Sequence, residues 1–84
     1  MNTDTLVRLT DLFADHVGLK RSTVSTYAAN DGKLIDRLAS GQASCTIRRA
    51  EVVCQWFSDH WPADLTWPRD VPRPHPAKSR KDAA

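Results

Sequence analysis

The sequence predicts a single all-α domain, and three observations support this prediction. Apolar residues recur at intervals of three and four along most of residues 4–61, as they do on one face of a helix. No segment of more than a few residues alternates between apolar and polar side chains, as an exposed strand would. Apolar residues make up 40% of the 84 residues, which is enough for one small core.

A first helix is predicted over residues 4–17, with Thr3 or Asp4 available as its N-cap. Its expected core positions share the spacing of one helix face and are Leu6, Leu9, Leu12, Phe13 and Val17. Gly18 is expected to end this helix, because glycine readily adopts the left-handed backbone that often follows a helix.

Three further helices are predicted along the chain, over residues 21–29, 33–40 and 47–61. The turn residues at 30–32 end the second helix, and Thr46 caps the fourth. The expected core positions are Val24, Tyr27 and Ala28 in the second helix, Leu34, Ile35 and Leu38 in the third, and Ile47, Ala50, Val53, Cys54, Phe57 and Trp61 in the fourth. The domain is therefore expected to contain about four helices.

The composition changes abruptly after Trp61, because all five prolines lie between residues 62 and 76. The sequence WPADLTWPRDVP contains two copies of a hexad, Trp-Pro-x-Asp-aliphatic-x, at residues 61–66 and 67–72. Two copies are too few for a solenoid, which needs at least three repeats to bury a continuous core.

The chain is accordingly divided into a helical domain over residues 1–61 and two C-terminal segments. Residues 62–76 are expected to form an extended, polyproline-like arm, with Trp67 and Leu65 folded back on the helices. Residues 77–84 are expected to be a disordered basic tail, because they offer no large apolar side chain to bury.

The formal net charge of +2 is mild, and residues 1–61 carry equal numbers of basic and acidic side chains. Charge alone therefore does not indicate a nucleic-acid partner. No window approaches the roughly 18 apolar residues of a membrane-spanning helix, and the amino terminus lacks a basic leader followed by an apolar run. We expect a cytoplasmic chain in which Cys45 and Cys54 are buried or half-buried thiols.

Residues 10–29 meet the requirements of a helix-turn-helix motif. The motif needs a small residue where the second helix packs on the first, and a turn residue that tolerates left-handed φ. Ala14 and Gly18 occupy these positions. With Val24 and Tyr27 facing inward, the expected outward-facing residues are Lys20, Arg21, Ser22, Ser25, Thr26 and Ala29. Such a short, polar outer face suits a helix that enters the major groove of DNA.

In these residues the chain resembles the phage lambda repressor and Cro-type helix-turn-helix family, over about residues 6–57 and most strongly over residues 12–30. The resemblance implies a compact helical bundle that binds operator DNA in the major groove as a homodimer. Family residues before and within the second motif helix contact base edges, and these carry over to Lys20, Arg21, Ser22, Ser25 and Thr26. The first motif helix often contacts phosphate at its amino end, which implies a role for Thr10.

Two pairs of residues in the fourth helix have functional interpretations. Arg48 and Arg49 lie at the start of the helix, where cations oppose the helix dipole, so a phosphate is expected near them. Val52 and Trp56 lie beside the core positions of the same helix. They either widen the core of the monomer or form the dimer interface.

The predicted function is a sequence-specific, double-stranded DNA-binding transcriptional regulator, acting as a dimeric repressor or autorepressor. The alternative is a protein-interaction module, such as an antirepressor or adaptor, that uses the helical fold and the Trp-Pro arm. An enzyme is disfavoured because no acid-base or nucleophilic constellation is apparent. Cys45, Cys54 and His60 lack the paired spacing and the fourth ligand of a zinc site, so neither a metal nor a cofactor is expected.

Overall fold

A computed structural model of the chain describes residues 3–75, so the predicted tail over residues 77–84 lies outside the described residues. The helices are α1 (Thr3–Val17), α2 (Arg21–Ala29), α3 (Leu34–Ser40) and α4 (Ile47–His60). Residues 3–75 contain no strand, and the predicted all-α fold of four helices is confirmed. Within this range none of the helices has the length and apolar character that a bilayer crossing requires.

The turn between α1 and α2 consists of residues 18–20 and depends on glycine. Gly18 has a φ of 76°, a left-handed conformation that glycine adopts without steric cost. The backbone N–H groups of Gly18 and Leu19 both donate to the carbonyl oxygen of Ala14, at 2.9 Å each. Asn30 ends α2 in the same left-handed region, with a φ of 56°. The two predicted helix ends are therefore confirmed.

Side chains close in sequence accept hydrogen bonds from backbone N–H groups at the starts of α3 and α4. The Asp31 carboxylate accepts the backbone N–H of Lys33 at 3.0 Å, immediately before α3. Thr46 caps α4 as predicted, because its hydroxyl accepts the backbone N–H of Arg49 at 3.1 Å. These bonds satisfy N–H groups that a helix start leaves without an intrahelical partner.

An aromatic cluster forms the centre of the core, between α1 and α4. The Phe13 ring lies edge-on to Phe57 and Trp56, with centroids 5.6 Å and 5.3 Å away. Trp61 extends the cluster at the end of α4, where its ring centroid lies 6.2 Å from that of Phe57. All three predicted core positions of α3 are buried, so α3 closes the bundle.

Four residues that were expected to face the core are exposed instead: Leu12, Val17, Tyr27 and Ile47. Thr10 and Ala14 complete the buried face of α1, and Leu12 lies to one side of it. Val17 is the last residue of α1 and Ile47 the first of α4, and helix ends extend beyond the packed core. Ile47 is 80% exposed. Helical spacing alone overestimated the width and length of the buried faces.

The two hexads of the sequence repeat adopt the same local structure. In each hexad the indole N–H of the tryptophan donates at 2.8 Å to the carbonyl oxygen of the aliphatic residue four positions later. In each, that aliphatic residue donates its own backbone N–H at 3.2 Å to the carbonyl oxygen of the proline. Residues 62–71 of the arm thus form a pair of turns rather than one extended polyproline segment.

The arm is fixed to α1 by the aspartate of each hexad. Asp64 pairs with His16 at 3.0 Å, and Asp70 pairs with Arg8 at 2.8 Å. The hydrogen bond from Arg8 holds the pKa of Asp70 below its ordinary value. Trp61 is 8% and Val71 5% exposed, and the half-buried Trp67 packs edge-on against Trp61. The expected return of Trp67 and Leu65 to the helices is confirmed.

Replacement of Trp67 by Ala tests whether the arm is part of the fold. The change removes the ring packed on Trp61 and the hydrogen bond that closes the second turn. We expect the melting temperature to fall by about 10 °C, because Trp67 is half-buried and its truncation costs less than the roughly 3 to 5 kcal/mol of a fully buried aromatic. Deletion of residues 77–84 is the control and should leave the melting temperature unchanged. A Trp67→Ala chain that melts like the full chain would contradict this role.

Candidate nucleic-acid interface

The outward face of α2 is polar, short and free of acidic side chains. Ser22 and Thr26 are exposed, and Thr23 is half-buried between them. Lys20 is the exposed N-cap of the helix, in an extended conformation and with no side-chain capping bond. Within α2 only Val24, Ser25 and Ala28 are buried. The helix therefore contacts the core with a narrow face and presents hydroxyl groups on the other.

Ser25 was expected to face outward, and this prediction is wrong. Its side chain is fully buried. The hydroxyl donates to the carbonyl oxygen of Asp31 at 2.5 Å and accepts the backbone N–H of Ile35 at 3.3 Å. These two backbone groups flank the start of α3, where the first N–H groups lack an intrahelical partner. The Asp31 carbonyl also accepts the backbone N–H of Leu34 at 3.3 Å. α2 is consequently rotated so that Ser25 faces inward and Tyr27, which is 57% exposed, faces outward.

Arg21 is not the free cation that the sequence led us to expect. Its Nε and Nη2 atoms donate to the two carboxylate oxygens of Asp11, at 2.8 Å each. Its Nη1 atom donates to the Asp36 carboxylate at 3.1 Å. The hydrogen bond to Asp11 is the largest cause that raises the pKa of Arg21 further above its ordinary value. The guanidinium group thus joins α2 to both α1 and α3.

Thr10 was expected to contact phosphate, but its side chain has no exposed surface. Thr10 is fully buried, and its hydroxyl donates at 2.7 Å to the carbonyl oxygen of Leu6 one turn earlier. A buried hydroxyl that bonds within its own helix is not available to a ligand at the surface. This prediction is therefore wrong, since Thr10 belongs to the core of the bundle.

The two arginines at the start of α4 differ in their surroundings. The Arg49 Nη2 atom donates to the carbonyl oxygen of Ala29 at 3.1 Å, where it satisfies one of the last carbonyl groups of α2. Arg48 is exposed and lies at a groove between α2 and α4. A phosphate contact remains a prediction for both, and Arg49 has a structural role in addition.

Val52 and Trp56 have different environments, although the sequence treated them as a pair. Trp56 is half-buried and packs edge-on against Phe13 and Phe57, at 5.3 Å from each, so it widens the core. Tyr27 stacks beside Trp56 at 6.5 Å, on the outer side of the cluster. Val52 is 58% exposed and remains on the surface.

The turn that precedes Lys33 lies beside α2. A Cβ atom placed on the adjacent Gly32 would lie only 2.8 Å from the Thr26 hydroxyl oxygen, so this turn lies directly against α2. Lys33 is exposed immediately after that glycine. The sequence marked residues 30–32 as a turn, but it gave no indication that the turn would lie beside Thr26.

The described residues show no cluster suited to metal binding. No group of three His, Cys, Asp or Glu side chains within residues 3–75 has the geometry to hold a metal ion. Cys45 and Cys54 are free thiols, half-buried and buried as predicted. Burial raises the pKa of the Cys54 thiol, which disfavours the thiolate that a nucleophile or metal ligand requires.

Comparisons of the chain with protein-family models, curated proteins and solved structures find no match. Function is therefore inferred from the geometry of this interface. The interface consists of the exposed hydroxyl groups of α2, Lys20 before the helix, Lys33 after the adjoining turn, and the ion pairs that hold α2.

Replacement of Ser25 by Ala tests the buried hydrogen bonds of α2. The change leaves the Asp31 carbonyl and the Ile35 N–H without the Ser25 hydroxyl, so we expect the free energy of unfolding to fall by about 1 to 3 kcal/mol. Ser22→Ala, at an exposed position of the same helix, should change it by less than about 0.5 kcal/mol. Urea denaturation of both variants measures the difference, and equal effects would contradict the assigned rotation of α2.

Replacement of Arg21 by Met tests the ion pairs that hold α2. Methionine keeps the apolar stem but loses the contacts with both carboxylates. We expect the free energy of unfolding to fall by about 1 kcal/mol, because water partly screens these half-exposed ion pairs. Arg69→Met, at an exposed position in the arm, matches the charge change. Urea denaturation in low and high salt is the measurement. An equal loss in both variants would show that Arg21 does not hold the helix.

Proposed function

We propose that this chain binds double-stranded DNA by placing the outer face of α2 in the major groove. The observation that carries the proposal is the acid-free face formed by the exposed Ser22 and Thr26 and the half-buried Thr23, on the second helix of a helix-turn-helix arrangement. A helix with short side chains fits the major groove, which is about 12 Å wide. Serine and threonine hydroxyls bond to either base edges or phosphates.

Exposed lysines at both ends of this face supply the electrostatic part of the interaction. Lys20 precedes α2, and Lys33 follows the turn that lies against Thr26. Each lysine that neutralises a phosphate releases condensed counterions, so binding should weaken as salt rises. With few such contacts the general attraction for DNA is small. Discrimination between sequences then depends largely on the hydroxyl groups.

The ion pairs of Arg21 also support selective rather than general DNA binding. The node formed by Arg21, Asp11 and Asp36 holds one cation and two carboxylates, all partly exposed beside the start of α2. A node with excess negative charge repels the phosphates of any duplex, so it lowers the general attraction for DNA and leaves selection to specific contacts. A DNA-binding regulator, acting as a repressor or autorepressor, is the role that such a surface serves best.

The alternative function, a protein-interaction module that uses the Trp-Pro arm, has less support. Both indole N–H groups of the hexads are bonded within the arm, and Trp61 is buried against the core. A partner protein would find little free tryptophan surface on the arm. The exposed Tyr27 and Val52 beside α4 are the better surface for a protein partner.

Selection from a pool of random duplexes, followed by titration of the recovered sequence, tests DNA binding directly. We expect one preferred sequence, bound more tightly than random duplex at the same salt concentration. The double variant Ser22→Ala and Thr26→Ala should lose about 1 to 3 kcal/mol of binding energy on that sequence but little on random duplex. Failure to recover any preferred sequence at low salt would contradict the proposal.

The salt dependence of binding tests the assigned phosphate contacts. Lys20→Ala should reduce the slope of log affinity against log salt by about 1, because one phosphate contact is lost. Arg69→Ala makes the same change in net charge at an exposed position in the arm and should leave the slope unchanged. Equal slopes for the two variants would show that Lys20 does not contact phosphate.

A further inference from the structure

The hydroxyl group of Thr26 is turned toward the backbone of its own helix, although the residue is exposed. Its Oγ1 atom donates to the carbonyl oxygen of Ser22, one turn earlier, at 3.0 Å. The same atom lies 2.8 Å from the position that a Cβ atom on Gly32 would take, so it also faces the turn before α3. A threonine hydroxyl has one proton to donate, and here that proton is already used.

The γ-methyl group of Thr26 points in a different direction from the hydroxyl. The Cβ atom of threonine carries both groups in separate staggered positions, so the methyl group does not share the side that faces Ser22 and Gly32. Thr26 lies one turn after the exposed Ser22, on the outward face of α2. The group that Thr26 presents to a ligand in front of this face is consequently an apolar methyl group.

The side chain of α2 that is best suited to read guanine is held by other helices. Arginine pairs bidentately with the O6 and N7 atoms of guanine, which is the commonest specific contact in the major groove. In this chain the Arg21 guanidinium group is bonded to Asp11 and Asp36 instead. The outward face of α2 is left with short side chains, which contact a base through a single hydroxyl or a single methyl group.

We propose that Thr26 selects thymine through a contact between its γ-methyl group and the C5-methyl group of the base. This inference rests on the proposed function, in which α2 enters the major groove. Thymine alone among the four bases presents a methyl group there, and a threonine methyl is a suitable partner for it. A hydroxyl contact would not distinguish thymine in this way, since serine and threonine hydroxyls bond to several base edges. Thr26 is therefore a specificity-determining residue.

Replacement of single thymines by deoxyuridine in the selected duplex tests the contact with the unaltered full chain. Deoxyuridine keeps the pairing with adenine and removes only the C5-methyl group. We expect one thymine position per bound chain at which this change weakens binding about threefold to fivefold, as the loss of one buried methyl group does. Fluorescence anisotropy titrations of the labelled duplexes, at one salt concentration, measure the affinities.

Two variants of Thr26 separate the methyl group from the hydroxyl group. Thr26→Ser keeps the hydroxyl and removes the methyl, so it should bind the thymine duplex and the deoxyuridine duplex equally, about threefold to fivefold more weakly than the unaltered chain binds the thymine duplex. Thr26→Val keeps a methyl group and replaces the hydroxyl, so it should retain the discrimination between the two duplexes. Ser22→Ala is the control at a neighbouring exposed position and should also retain this discrimination.

The outcomes distinguish a failure of the thymine contact from a failure of DNA binding. A preferred sequence in which no thymine is sensitive to deoxyuridine overturns the thymine contact and leaves DNA binding by α2 intact. Discrimination that survives in Thr26→Ser, or that is lost in Thr26→Val, shows that the Thr26 methyl group does not read the base. Failure to recover any preferred sequence contradicts the proposed function and this inference together.

Discussion

Helix α2 buries only two apolar side chains, Val24 and Ala28, and a helix of nine residues is not stable without tertiary contacts. Polar contacts therefore hold it at three points. Arg21 pairs with two carboxylates at its start, Ser25 bonds the start of α3 from its middle, and Arg49 bonds a carbonyl at its end. Because these contacts fix the helix from its inner side and its ends, the exposed Ser22 and Thr26 take no part in holding it against the other helices.

The Trp-Pro arm completes the core that four short helices leave open. Each hexad uses its tryptophan to close its own turn and its aspartate to pair with a basic residue of α1. Those basic residues, Arg8 and His16, are eight positions apart, so they lie on neighbouring parts of one helix face. The repeat in the sequence thus corresponds to a repeated way of docking onto a single helix.

The sequence predicted the number, order and ends of the helices, because glycine, asparagine and threonine at the ends have clear backbone preferences. It did not predict the rotation of α2. Apolar spacing placed Tyr27 inside, but Ser25 faces inward because its hydroxyl bonds the Asp31 carbonyl and the Ile35 N–H at the start of α3. It also missed the partners of Arg21, since Asp11 and Asp36 lie on other helices and meet Arg21 only in the folded chain. Tertiary hydrogen bonds have no periodic pattern that a single sequence displays.

An NMR titration tests whether the outer face of α2 contacts DNA. The amide signals of the full ¹⁵N-labelled chain would be followed as the selected duplex is added, with a scrambled duplex as control. We expect the largest shifts in the turn over residues 18–20, at Ser22, Thr23 and Thr26, and at Lys33. Shifts confined to α4 or the arm, or equal shifts with both duplexes, would contradict it.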